Sequence, residues 1–339
     1  SGDIAYSITT DPSGNVYTAV CFSGTVDFDP GVGTVNLTSN GLGKDVVVQK
    51  LDALGNFLWA KSFGGTSGDI AYSITTDPSG NVYTTGHFQG TVDFDPGMRT
   101  FNLTSNGGYD VFVQKMDALG NFLWAKSFGG TLSVLTRAIV SDRLGNVYTA
   151  GWFSGTVDFD PGVGTVNLTP NGGQDVFVQK MDASGNFLWA KSFRGTSNDN
   201  AYSITTDPSG NVYTAGAYSG TADFDPGVGT FNLTSNGGND VFVQKIFQNN
   251  TVSLITQTDD SFINLFPNPT SNFVTINLTN KSKGQVIVSD LLGKVVLNKE
   301  FNSNQIQLSL KSIESKGTYL VKIMDSNGNV IANKKLIYQ

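Results

Sequence analysis

Glutamate is absent from residues 1–260, which carry 24 aspartates against 12 lysines and arginines, a net charge of −12. Glutamate is a good helix former, whereas aspartate favours turns and caps, so this absence argues against a helix-rich region. The acidity argues against nucleic acid as a partner, because that surface needs a basic stripe. Cysteine occurs once, at Cys21, which rules out an internal disulfide framework. A large secreted domain has core enough without such staples. Histidine also occurs once, at His87, which argues against Ser-His-Asp or His-metal chemistry. No apolar run approaches the roughly 18 residues of a membrane helix, so no membrane span is expected. An initiator Met and a signal-peptide pattern are both missing, which predicts a chain cut from a longer one.

Repetition is what the sequence has in abundance. The marker D-P-S-G-N-V-Y begins at Asp11, Asp77 and Asp207, with D-R-L-G-N-V-Y at Asp142, so the offsets are 66, 65 and 65. A period of that size means an array in which no copy buries its apolar face alone. Residues 1–260 also hold 36 of the 40 glycines, which reads as all-β with many tight turns. The expected blades run over about 1–66, 67–131, 132–196 and 197–248.

In the second copy, 71–76 (A-Y-S-I-T-T) is a short strand ended by the turn D-P-S-G-N. Strands follow at 81–88, 110–116 and 122–128, rich in β-branched and aromatic residues. Four antiparallel strands in chain order, joined by Gly-bearing turns, make one β-propeller blade. Between the second and third lies an inserted hairpin, 91–104, whose Pro-Gly centre suits a type II turn. Alternation places Val92 and Phe94 on a face that lies on the blade, and Asp93 and Asp95 on the face turned away. The fourth copy stops after V-F-V-Q-K-I-F without a W-A-K-S-F strand. A strand from before Ser1 is expected to close the ring, leaving here a four-blade ring short of one strand, or an arc.

The elements D-P-S-G-N-V-Y-T-A-G, D-V-F-V-Q-K-M-D and G-N-F-L-W-A-K-S-F-G-G-T resemble the SBBP family of propeller repeats. That resemblance covers 1–247 and implies a scaffold with no fixed activity.

Residues 261–339 differ in kind, with 9 lysines against 2 aspartates and 2 glutamates, a net +5. A polar linker is expected over 249–260. Strand-like runs at 285–290, 294–301, 305–310 and 318–324, with a hairpin turn at 325–329, argue for a small β-sandwich. F-P-N-P (266–269), L-G-K-V-V (292–296), G-T-Y-L-V-K-I (317–323) and K-K-L-I-Y-Q (334–339) resemble the type A C-terminal sorting domain of type IX secretion substrates. The signal residues carried by that likeness are Pro267, Asn268, Pro269, Gly293, Lys294, Gly317, Tyr319, Lys334 and Lys335. It implies a Bacteroidota source, the type IX secretion machinery as a partner of 261–339, and a secreted or outer-membrane-surface protein. It also implies removal of the tail on release or anchoring.

Candidate chemistry is sparse. Paired carboxylates recur at Asp27 and Asp29, Asp93 and Asp95, Asp158 and Asp160, and Asp223 and Asp225. With Asn36, Asn102, Asn167 and Asn232 across the hairpin they could offer oxygens to Ca²⁺; equally, they could solvate an outer face and cap the turn. A catalytic carboxyl pair is disfavoured because the pairs repeat identically, whereas an active site is normally singular. Positions that differ between copies are candidates for ligand contact. The exit of strand two carries Cys21, His87, Trp152 and Ala217, and the residue before strand three is Lys44, Tyr109, Gln174 or Asn239. Of these, His87, Tyr109 and Trp152 are the candidates, because an aromatic face offers apolar area with a polar tip to a sugar ring. Trp59, Trp124 and Trp189 recur and read as buried core. The N-L-T sequons lie in a strand and read as strand chemistry. The expected function is a non-catalytic extracellular scaffold for binding glycan or protein, or for adhesion. Its alternatives are a calcium-stabilised array or an accessory module of a larger secreted enzyme.

Overall fold

The computed structural model describes residues 2–41, 43–227, 229–248, 263–278, 283–290, 294–313, 315–326 and 330–339. The chain divides into two compact units, Ser1–Asn249 and Asn250–Gln339. The expected linker, Gly293 and most of the turn at 325–329 lie outside the described residues.

Blade 1 comprises β1 (Ile4–Thr10), β2 (Val16–Phe22), the hairpin β3 (Thr25–Asp27) and β4 (Asn36–Thr38), β5 (Asp45–Leu51) and β6 (Phe57–Gly65). Blade 2 repeats this with β7 (Ile70–Thr76), β8 (Val82–Phe88), β9 (Thr91–Asp93), β10 (Asn102–Thr104), β11 (Asp110–Met116) and β12 (Phe122–Gly130). Blade 3 has β13 (Val134–Ser141), β14 (Val147–Phe153), β15 (Val157–Asp158), β16 (Asn167–Leu168), β17 (Asp175–Met181) and β18 (Phe187–Gly195). Blade 4 has β19 (Asn200–Thr206), β20 (Val212–Tyr218), β21 (Thr221–Asp223), β22 (Asn232–Thr234) and β23 (Asp240–Ile246). Within each blade the strands pair antiparallel in chain order around the inserted hairpin, as in β7-β8-β11-β12; blade 4 is three-stranded, β19-β20-β23.

The repeated turn marker is explained locally. Asp77 Oδ1 accepts the N–H of Ser79 and of Asn81, while Oδ2 accepts from Asn81 Nδ2 and Tyr83 Oη. Gly80 sits at φ 78°, the left-handed region that a side chain resists. One carboxylate therefore ties the turn to the start of the next strand, and that is why Asn and Tyr accompany Asp in the marker.

The hairpin does more than lie on its own blade. Its first strand pairs with the outer strand of the preceding blade: Asp93↔Gly64 and Val92↔Gly65, Asp158↔Gly129 and Val157↔Gly130, Asp223↔Arg194 and Ala222↔Gly195. The fourth strand accordingly runs past W-A-K-S-F into the glycines. Only β3–β4 stands as a separate two-stranded piece.

The cores are shared between blades. One cluster joins Tyr17, Val46, Val48 and Phe63 of blade 1 to Ile74, Phe88, Phe94 and Phe112 of blade 2. Others join Val111 to Val134, Phe159 and Phe177, and Val113 to Ile139 and Met181, across the next junction. The recurrent tryptophans are half-buried, not fully inside: Trp59 and Trp124 donate Nε1–H to Ala118 and Ala183 carbonyls of the following blade, both at 3.3 Å. Lys50 and Lys115 reach the same carbonyls at 2.9 and 3.0 Å. Blade 1 leaves Ile8 exposed on its first face and blade 4 leaves Val241 and Val243 exposed on its last, so the described blades form an open arc.

The C-terminal unit has β24 (Ile263–Phe266), β25 (Phe273–Leu278), β26 (Gly284–Ser289), β27 (Val295–Phe301), β28 (Gln305–Ser309), β29 (Gly317–Asp325) and β30 (Val330–Tyr338). A three-stranded sheet, β24-β25-β28, and a four-stranded sheet, β27-β26-β29-β30, enclose a core that includes Val274, Ile276, Leu308, Val286, Val288, Val321, Ile323 and Leu336. This is the small β-sandwich that the alternation predicts.

Candidate functional site

Each inner strand carries a β-bulge at the same place. Pairing between β7 and β8 steps from Ala71↔Gly86 to Ser73↔Thr85 and leaves Tyr72 unpaired. The equivalent bulges leave Tyr6, Arg137 and Tyr202 unpaired. A bulge re-aims the side chain it carries, so a simple two-residue alternation does not describe A-Y-S-I. In blades 2 and 3 the strand opposite comes close, since a Cβ at Gly86 would lie 1.8 Å from the Ile70 carbonyl oxygen and one at Gly151 would lie 1.9 Å from that of Leu135, whereas blade 1 keeps the bulge with Val20 there. That close approach, and not the bulge alone, accounts for the glycine in T-T-G-H and T-A-G-W.

The inner strands are held side by side. Ile74 N–H donates to Ser7 Oγ and Ile139 N–H to Ser73 Oγ, both at 3.3 Å. The bulged residues thereby form one row across four blades. Tyr6 and Tyr72 meet edge to face with centroids 5.0 Å apart. The Arg137 guanidinium lies 4.0 Å from the Tyr72 centroid and 4.9 Å from that of Trp152. Trp152 in turn contacts Tyr202 at 6.3 Å. Tyr6 and Tyr202 are exposed, and Tyr72 and Arg137 are half-buried.

Of the three predicted contact residues, Tyr109 is exposed, while His87 and Trp152 are only 6% and 8% exposed. His87 is packed between Tyr72 at 5.3 Å and Tyr109 at 4.5 Å. His87 and Trp152 therefore support the row from beneath and do not form its outer surface. Burial, then the nearby Arg137 charge, pushes the His87 imidazole down to about 4, which keeps it neutral near pH 7. Cys21, at the equivalent place in blade 1, is buried, and burial pushes its thiol up to about 11, which disfavours the thiolate. Sequence reasoning missed Tyr6, Tyr72, Arg137 and Tyr202. The available signal was arginine standing where the other three copies have tyrosine.

The acidic hairpins have a different geometry. Asp27 Oδ1 accepts the N–H of Asp29 at 3.1 Å and of Val35 at 2.8 Å, and Asp29 Oδ1 accepts the N–H of Gly31 at 2.7 Å. In blade 2, Asp93 Oδ1 takes the N–H of Asp95 and of Phe101, and Asp95 Oδ1 takes that of Gly97 at 2.8 Å. In blade 3, Asp158 Oδ1 takes the N–H of Asp160 and of Val166, and Asp160 Oδ1 takes that of Gly162 at 2.8 Å. In blade 4, Asp223 Oδ1 takes the N–H of Asp225 and of Phe231, and Asp225 Oδ1 takes that of Gly227 at 2.8 Å. The N–H groups of Val35 and Asp29 hold the Asp27 carboxyl below the usual range.

One expectation about these aspartates needs correction. Asp29, Asp95, Asp160 and Asp225 are half-buried, so the second carboxylate of each pair is not simply turned away to solvent. It folds back over its own Pro-Gly turn: a Cβ at Gly164 would lie 2.2 Å from Asp160 Oδ2, and one at Gly229 would lie 2.2 Å from Asp225 Oδ2. The eight residues Asp27, Asp29, Asp93, Asp95, Asp158, Asp160, Asp223 and Asp225 stay two to a hairpin, one pair in each blade. Among the described residues no group of three or more His, Cys, Asp or Glu side chains is placed to hold a metal ion. Each pair caps its own turn, its Oδ1 atoms accepting backbone N–H groups from within eight residues.

In the C-terminal unit, the first and last motifs converge. Asn268 Nδ2 donates to the Lys335 carbonyl at 2.6 Å, and Ile337 N–H donates to Asn268 Oδ1 at 2.8 Å. Thr270 and Gln339 extend this stitch, with Thr270 N–H to the Ile337 carbonyl at 2.9 Å. Pro267 and Pro269 flank it. Lys294 N–H closes a turn onto Asp290 Oδ1 at 2.9 Å. Tyr319, in β29 shortly after Gly317, is buried with its hydroxyl donating to the Ser315 carbonyl. Lys335 is exposed and Lys334 half-buried on β30.

A family model described as a secretion system C-terminal sorting domain matches residues 264–339. The chain carries a secretion sorting domain. A second model, a β-propeller repeat of the SBBP type, matches residues 58–87, which run from β6 into β8. The sorting domain makes this a secreted or outer-membrane-surface protein and implies interaction with the secretion machinery. An uncharacterized WD repeat-containing protein of Acanthamoeba polyphaga mimivirus is 26% identical over 217 residues, which is 55% of this chain and 15% of that protein. The regulatory protein FlaEY of Caulobacter vibrioides is 26% identical over 169 residues, 49% of this chain and 17% of its own length. An endo-acting ulvan lyase of Formosa agariphila is 38% identical over 77 residues, 23% of this chain and 15% of the lyase. The chain therefore spans about a sixth of the length of these relatives. Among solved structures, PorZ, a surface component of the type IX secretion system of Porphyromonas gingivalis, aligns with 99% of this chain and 45% of its own, at 12% identity and a TM-score of 0.28.

Proposed function

We propose that this chain is a non-catalytic β-propeller scaffold that binds an extracellular glycan along its inner-strand row, with residues 261–339 as its export signal. The observation that carries this reading is the row itself. Four consecutive blades carry a bulge at the same position, and three of the four place a tyrosine there. Aromatic faces with a polar tip suit sugar rings, and a row suits an extended polymer better than a compact ligand. The buried His87 and Trp152 layer holds the row rigid, which limits the ordering cost of binding. Adhesion to a matrix or a cell coat would follow from the same contact.

Affinity electrophoresis of the full chain against a panel of soluble polysaccharides tests the reading. Tyr72→Ala should weaken binding about three- to tenfold, the loss of one stacking contact of about 0.5–1.5 kcal/mol. Retention of full affinity by Tyr72→Ala, or release of oligosaccharide by the parent protein, would sink it. The likeness of 77 residues, 23% of this chain, to an endo-acting ulvan lyase favours a second reading, in which the chain is an accessory module of a longer secreted enzyme.

A further inference from the structure

We infer that the row selects an anionic polysaccharide, one bearing carboxylate or sulfate groups, with Arg137 as the residue that reads the charge; this rests on the glycan-binding reading above. Arg137 is the single departure from tyrosine at the bulged position: Tyr6, Tyr72 and Tyr202 fill it in the other blades. Its guanidinium carbon lies 4.0 Å from the Tyr72 ring centroid and 4.9 Å from that of Trp152, so two rings hold the charge in place by cation–π contact.

Ion pairs within 4.0 Å join Lys50, Lys115 and Lys245 to the turn aspartates Asp11, Asp77 and Asp207, and Arg137 takes part in none of these. That is telling in a region with 24 aspartates and 12 cations, where a carboxylate partner is easy to supply. The groups packed around the guanidinium are neutral instead: the Tyr72 and Trp152 rings, with His87 deprotonated beneath Tyr72. A half-buried guanidinium held between two rings, with no carboxylate in these ion pairs, matches a planar or tetrahedral oxyanion delivered from outside. The acidic hairpins lie elsewhere in each blade, with their carboxylates engaged by backbone N–H groups. The field of the whole array opposes a polyanion, so one stacked arginine gives selectivity at a single register of the polymer and only moderate affinity.

Arg137→Tyr tests this, because it installs the residue the other three copies already use and so keeps the fold and the stacking surface. Binding of the full chain would be measured by affinity electrophoresis and calorimetry against polygalacturonate and its methyl ester, and against dextran sulfate and plain dextran. The parent should prefer a charged polymer over its neutral counterpart, and added salt should reduce that preference. Arg137→Tyr should weaken the charged polymer about tenfold, the loss of a charge-assisted hydrogen bond, while changing neutral binding less than about twofold. Arg137→Lys, which keeps the charge and loses the fork, should fall between. Preference for polygalacturonate identifies carboxylate as the group read, and preference for dextran sulfate identifies sulfate. Equal binding of charged and neutral polymers, or an Arg137→Tyr variant with unchanged preference, overturns the charge-reading role and leaves the glycan reading intact. Binding to no polymer at all overturns both.

Discussion

Strands β11 and β23 have nearly the same sequence, D-V-F-V-Q-K-M against D-V-F-V-Q-K-I, and opposite environments. Val111 and Val113 are completely buried, whereas Val241 and Val243 are 84% and 78% exposed. Phe112 and Phe242, on the other face, are buried in both. The difference lies in the neighbour. Val111 and Val113 pack against Val134, Phe159, Ile139 and Met181 of the following blade, and no blade follows β23 among the described residues. Phe242 packs against the preceding blade through Val176, Val178 and Phe193. Each blade therefore supplies half a core at each face, and a repeat at the end of the arc shows what one half looks like uncovered.

The strongest way to break that comparison is a buried charge. Val113→Asp should cost several kcal/mol, on the order of 3–5, because an unpaired carboxylate is forced between two blades. Val243→Asp should stay within about 0.5 kcal/mol, as for an exposed site. Urea unfolding of both variants decides it, and a similar loss for Val243→Asp would mean that the last face is covered in solution.

Acid titration sharpens the contrast at buried carboxylates. Asp110, at the start of β11, lies beneath Gly129, where a Cβ would come within 2.0 Å of its Oδ1. Burial pushes its carboxyl up to about 6 and that of Asp69 up to about 7. Both values stand above the unfolded value of about 3.9, so the folded state holds the extra protons. Their contribution to stability is complete below about pH 4 and is lost as pH rises through 6 to 7. Thermal melts from pH 4.5 to 8 should show this decline, and Asp69→Asn or Asp110→Asn should flatten it. An unchanged slope in both variants would show that other groups set the pH dependence.

The smallest effect concerns the acidic hairpins. Asp27 and its counterparts Asp93, Asp158 and Asp223 already accept two backbone N–H groups each. Asp29, Asp95, Asp160 and Asp225 each accept one from the glycine two residues on. Calcium against chelator should therefore leave the melting temperature unchanged; a rise on adding Ca²⁺ would assign the Asp pairs to a cation.

Much of the molecule was legible in the residues. Strand positions followed from β-branched and aromatic runs, and turn positions from D-x-x-G-N, because both are set within a few residues of chain. The tail was legible for a different reason: its motifs are specific and keep their order. The hairpin's partner was not legible. Val92 and Phe94 pointed to a buried face, yet nothing local says that Asp93 pairs with Gly64, 29 positions earlier and in another blade. The row was hidden in the same way. Tyr6, Tyr72, Arg137 and Tyr202 fit an ordinary alternating strand until pairing with β2, β8, β14 and β20 reveals the bulge.

By itself the sequence determined the repeat, the four-stranded blade, the turn chemistry of its aspartates and the identity of the tail. All of these rest on short-range geometry or on motifs read along the chain. Only the tertiary structure decided which valines are core, which blade each hairpin joins, and that four bulged residues share one face. Those outcomes depend on which strand lies alongside which, and near-identical segments such as β11 and β23 acquire different roles solely from what packs against them.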